Sequence, residues 1–173
     1  VWHPLQLNLI SVFRALAASI CLSALYFRAF SMMHDGVHGA ILANRKVNDW
    51  AGLIYGALCF LPFTQWREIH LLHHQWSGNV EKDPVRKITV LFRGKPNFLT
   101  GIMSFFWPTW IPAAAAMQNY VFWSEALKRF SSGKGLLAKI SLALPVALWA
   151  SALFFAGWRI SAAVLFPSIV IYL

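Results

Sequence analysis

Five of the six histidines fall in two short clusters. WREIHLLHHQWS, residues 66–77, carries His70, His73 and His74, and MHDGVHG, residues 33–39, carries His34 and His38. Side chains three and four residues apart share a helical face, so HxxHH projects three imidazoles into one patch and HxxxH two into another. Imidazole suits Zn, Cu, Fe and Ni, and neither cluster contains a thiolate, which argues against a soft-ligand site. One tetrahedral zinc takes at most four ligands. Five neighbouring imidazoles are better matched to two metal ions, or to a larger site completed from elsewhere. Asp35, between His34 and His38, is placed either to accept the second N–H of a ligating ring or to be a plain interfacial carboxylate. Asp83, Glu81 and Glu68 are weaker candidates, with Glu68 expected to point away from the histidine face. His3 reads as an ordinary hydrogen-bonding residue.

The elements that must position these clusters belong to a membrane. Hydrophobic residues make up 58% of the 173 and charged residues 12%, with a mean hydropathy of +0.56, which excludes an ordinary soluble domain. The expectation is an all-α integral membrane bundle with three to four spans plus interfacial or re-entrant helices, forming one membrane-embedded domain over residues 1–173. The ends, Val1 and the apolar run to Leu173, read as cut from a longer chain. The net charge of +9 comes from Lys and Arg scattered over short polar segments between apolar runs. Topology and anionic headgroups, not nucleic acid, account for that pattern. Cys21 and Cys59 are isolated and read as packing residues, and no cleavable signal peptide is recognisable.

Residues 7–33 are long enough to cross a hydrocarbon core of roughly 30 Å, with Arg14 and Arg28 able to snorkel. A helix continuing past Arg28 carries His34 and His38 to one interface. Asn48 or Asp49 is expected to cap a helix over WAGLIYGALCFL, closed by Pro62. That stretch is too short to cross, and a crossing would separate the two clusters onto opposite sides. It therefore reads as interfacial or re-entrant. Thr64 is expected to cap the second cluster's helix, with Gly78 and Asn79 as its stop. Between Asn44 and Asn97 lie eight of the fifteen Lys and Arg, so the positive-inside rule puts this face in the cytoplasm. Residues 98–123, broken by Pro108 and Pro112, read as an interfacial or re-entrant pair. Phe105, Phe106, Trp107 and Trp110 there could line a chain tunnel or anchor at the interface. LLAKISLALPVALWASALFFAGW is read as a span kinked at Pro145, turning back in a tight hairpin near Gly157, Trp158 and Arg159.

HDGVH, a short apolar helix, then WREIHLLHH followed by NVEKDP: in this order and spacing the motifs resemble the membrane fatty acid desaturase superfamily, most strongly over residues 30–90. The resemblance implies a cytoplasm-facing di-iron centre of two iron ions, with His34 and His38 as the first box and His70, His73 and His74 as the second. The third box of that family has no counterpart in the sequence. It further implies oxygen-dependent introduction of a double bond into a fatty acyl or lipid chain, with two electrons from a ferredoxin or cytochrome b5-type donor. A carotenoid ketolase or hydroxylase of the same superfamily is the nearest alternative. A histidine-ligated haem or metal-transport membrane protein is the alternative from another class.

Overall fold

Helix α1, Leu9–His38, begins where the Asn8 side chain accepts the Ser11 N–H at 2.8 Å. It ends at Gly39, whose positive φ of 69° lets Gly39 N and Ala40 N reach back to the carbonyls of Gly36 and Asp35. Thirty residues at 1.5 Å each give roughly 45 Å, longer than a hydrocarbon core needs. The computed structural model describes residues 8–84, 119–128 except 121 and 125, and 135–172. His3, most of the pair expected over 98–123, and Phe105, Phe106, Trp107 and Trp110 lie outside the described residues.

Helix α2, Arg45–Leu58, starts earlier than expected, on the Asn44 cap. Asn48 caps nothing. Its buried amide accepts from Ile41 N and Leu42 N, each at 3.0 Å, and donates to the carbonyls of Leu42 and Asn44, tying down the loop from α1. Gly36 then lies against Asn48 and Gly52, Met33 against Gly56, and the Cys59 thiol donates to the Tyr26 carbonyl. These pairs make α2 antiparallel to α1, descending beside it for only 14 residues.

The chain reverses over Cys59–Pro62. Phe60 takes the left-handed conformation at φ 57°, so Leu61 N reaches Gly56 O and Phe60 N reaches Ala57 O. Two indoles satisfy carbonyls at this apolar end: Trp149 donates to Ala57 O and Trp123 to Phe60 O. Helix α3, Phe63–Trp76, returns towards the end at which α2 began. Thr64 is not its side-chain cap; Pro62 precedes the helix, and Thr64 N donates to Ser141 Oγ at 3.0 Å instead. A neighbouring helix here supplies what a local cap normally does. The helix stops as expected, with Gly78 at φ 88° and Asn79 receiving the N–H groups of Glu81 and Lys82. Helices α2 and α3 thus form an antiparallel hairpin that brings the end of α3 back beside the end of α1.

Helix α4, Leu136–Ile160, contains Pro145 and breaks at Gly157, which has φ 70° and ψ 168°. A π-helical turn, Ser161–Leu165, leads into α5, Phe166–Tyr172. Trp149 and Tyr172 both touch Tyr26, with ring centroids 5.4 and 5.9 Å away. A straight helix would hold residues 23 apart about 35 Å from each other, so the chain does double back at Gly157. The Ser19 hydroxyl meets the Val164 carbonyl nearer the start of the returning arm. Leu9–His38 and Leu136–Tyr172 are the two described stretches long and apolar enough to cross a membrane. Phe13, Leu25, Phe27, Phe154 and Phe155 are exposed on them, which is the outward face lipid calls for. Cys21 is also exposed there, not packed inside, whereas Cys59 is buried. Met33, Leu53, Phe63, Trp66 and Ile69 form the core between α1, α2 and α3, directly beneath the histidines.

Candidate metal centre

Because α2 descends and α3 returns, α3 lies parallel to α1 in a register that repeats every helical turn. Phe30 meets Trp66 at 5.6 Å between ring centroids, His34 meets His70 at 4.7 Å, and His38 meets His74 at 5.0 Å. Each rung is four residues above the last, the spacing that keeps side chains on one face. The apolar rung belongs to the core and the two histidine rungs stand above it.

The rungs converge on one point. His70 Nε2 is 3.1 Å from His38 Nε2 and 3.0 Å from His74 Nε2. One ring nitrogen from each of His34, His38, His70 and His74 lies within 4.8 Å of all the others. Donors bonded to one ion at about 2.0–2.1 Å stand roughly 3 to 4.2 Å apart, so the widest pair need close by only about half an ångström. Four imidazoles with no thiolate among them fit an ion such as iron or zinc. This is the one such cluster among the described residues.

Electrostatics keep the donors ready. Burial, with the neighbouring His34, His74, His38 and His73 adding repulsion in that order, pushes the His70 imidazolium down to about 4. The ring is therefore neutral at neutral pH, with a lone pair available. Trp66, buried at 4% exposure, stacks on the His70 ring at 4.4 Å and 13° and fixes its plane. The hairpin is held shut by Arg67 on α3, which donates to Asp49 on α2 at 2.6 Å with both side chains mostly buried.

The other expected residues are placed differently. His73 is outside the four-donor cluster; its Nδ1 lies 2.9 and 3.0 Å from the two oxygens of Asp83. Asp35 lies 3.4 Å from His34 Nδ1, a long contact between half-exposed side chains. Asp83 is 1% exposed, so the buried carboxylate of this region is the one rated weaker from sequence. Glu68 is exposed and is not among the four donors. Trp66 was not singled out as a partner of the histidines, although its place four residues before His70 carries that signal.

Fold and site together define an integral membrane protein of helices with a histidine cluster able to take a metal ion. The model of the fatty acid desaturase family matches residues 11–173, and the chain belongs to that family. It is 29% identical over 83 residues to a fatty acid desaturase of Bacillus subtilis, covering 47% of this chain and 24% of that protein. With an omega-3 fatty acid desaturase of Caenorhabditis elegans it shares 32% over 72 residues, 42% of this chain and 18% of the relative. With the sn-1 acyl-lipid omega-3 desaturase (ferredoxin) of Synechocystis it shares 25% over 137 residues, 73% of this chain and 32% of the relative. The chain thus spans about a third or less of the length of these relatives. No solved structure matches it at comparable significance.

Proposed function

We propose that the protein acts in an oxygen-dependent desaturase that introduces a double bond into a fatty acyl chain at a di-iron centre. The observation that carries this reading is the convergence of His34, His38, His70 and His74 on one point in a chain of the desaturase family. When bound, the iron pair supplies oxygen activation and abstraction of hydrogen from an unactivated methylene, one-electron chemistry that no side chain performs. The chain's own residues prepare the place for it. The four imidazoles converge on one point, Trp66 holds the His70 plane, and the Arg67–Asp49 pair keeps α3 against α2. Five imidazoles do not complete two iron ligand sets, so the second ion takes further ligands from outside the described residues.

An apolar cavity of about 490 Å³ lies at the tip of the hairpin, between Tyr26, Cys59, Phe60, Trp123, Trp149 and Tyr172. Its lining suits an aliphatic chain held away from water. Three to four spans, with both histidine boxes and the basic segments on the cytoplasmic side, fit the positive-inside pattern. A ferredoxin or cytochrome b5-type donor docked on that basic face supplies the two electrons; the Synechocystis relative's name includes ferredoxin. The direct test expresses the full-length protein and its His70→Ala variant in a host whose lipids lack the product. Loss of both iron and new double bonds is expected. Undiminished desaturation by the variant overturns the reading.

A further inference from the structure

Asp83 is almost fully buried, and a buried carboxylate is costly unless hydrogen bonds hold it. Both of its oxygens lie at bonding distance from His73 Nδ1, 2.9 and 3.0 Å away. The turn after α3 brings it there. Gly78 takes a positive φ, Asn79 gathers the N–H groups of Glu81 and Lys82, and Asp83 N donates to Asn79 O at 3.1 Å. NVEKDP is therefore a strap folded back under the helix that carries HxxHH. With its Nδ1 proton committed to the carboxylate, the His73 ring has its free lone pair on Nε2. Metal-ligating histidines are oriented in this way, by a carboxylate that fixes the tautomer and the ring.

Why His73 needs its own carboxylate follows from the helix. His70 and His74, four residues apart, lie on the edge facing α1, whereas His73 is turned by about 60° from His70 and 100° from His74. It does not join the four-donor cluster. We propose that Asp83 is the positioning residue of His73: it holds the ring through Nδ1, so that Nε2 is presented to an ion other than the one within reach of His34, His38, His70 and His74. This role rests on the metal reading given under the proposed function.

The test uses the full-length protein, purified in detergent and titrated with Fe(II) against a chelator, with Co(II) loading to read each site's ligand-field bands. His38→Ala and His73→Ala are expected to weaken different ions of the pair. Asp83→Ala is expected to weaken only the ion sensitive to His73→Ala, by roughly 10–100-fold, and to add nothing in the His73→Ala background. Asp83→Asn, of the same shape and still able to accept the Nδ1 proton, is expected to fall between Asp83→Ala and wild type. Additive loss in the double variant would make Asp83 a folding residue and overturn the positioning role, as would unchanged affinity in Asp83→Ala. If His38→Ala and His70→Ala also cost no metal, the metal reading itself has failed, and the two failures are told apart.

Discussion

Gly52→Ala tests the α2–α3 hairpin at its tightest point. A Cβ at Gly52 would stand 2.1 and 2.2 Å from two ring carbons of Phe63, where carbon atoms sit comfortably at about 3.5–4.0 Å. Phe63 is fully buried, so its ring has no room to swing, and α3 must move by about 1.4 Å. Overpacking of this kind costs about 1–3 kcal/mol, and a clash this short against a fixed ring belongs at the upper end. Replacing a mid-helix glycine by alanine returns about 1 kcal/mol. The net loss is about 2 kcal/mol, a fall in melting temperature of roughly 4–8 °C for a chain of this size. Phe63 is seven residues before His70 on the same face, so the displacement also pulls at His70 and His74 in a cluster whose widest pair already has about half an ångström to close. Thermal unfolding of the detergent-solubilised protein by tryptophan fluorescence, with iron content measured in parallel, reads both effects. Adding Phe63→Leu to Gly52→Ala removes the obstructing ring and is expected to recover most of the loss, a coupling that independent sites do not show. A Gly52→Ala variant with unchanged melting temperature and full iron content would refute the packing of α3 on α2.

Asn48→Ala strips the N–H groups of Ile41 and Leu42 of their acceptor and is expected to destabilise by about 1–3 kcal/mol, measured by the same unfolding assay. Trp66→Leu keeps an apolar side chain but removes the plane stacked on His70, so iron affinity is expected to fall more than thermal stability does. His70 titrates at about 4 in the folded chain against an ordinary 6.5, so the unfolded chain binds its proton more readily. Metal-free protein is therefore expected to lose stability as pH falls from about 6.5 towards 4 and to regain it as pH rises. His70→Gln flattens that slope in a pH series of melting temperatures.

Helical periodicity and apolar length made the skeleton readable before any coordinates. Spacing of three and four told which histidines share a face, and the apolar stretch between the boxes, 12 residues from Trp50 to Leu61, was too short to carry them apart. The tight hairpin at Gly157 was legible for the same reason, because an apolar stretch much longer than a span must turn where glycine permits. The caps were read less well. Asn48 and Thr64 have the right chemistry to begin helices, but Asn48 is drawn into the α1–α2 loop and Ser141, 77 residues away, satisfies the start of α3. Local propensity proposes a cap, and tertiary contacts decide whether it is used.

The division of HxxHH depends on a direction that spacing alone leaves open. Three histidines within five residues cover about 100° of helix surface, too wide an arc for one ion held from one side. Which two face the first box depends on the parallel register of α1 and α3, and that register is set by apolar residues below the site. Phe63 against Gly52 and Trp66 against Phe30 place His70 and His74 opposite His34 and His38, leaving His73 at the edge where the strap arrives. A one-residue shift of α3 that set His73 in the place of His74 would set Ile69 in the place of His70 and Leu72 in the place of His73. The core packing beneath the site therefore selects its ligands, and for that reason Gly52→Ala, which touches no histidine, is expected to cost metal.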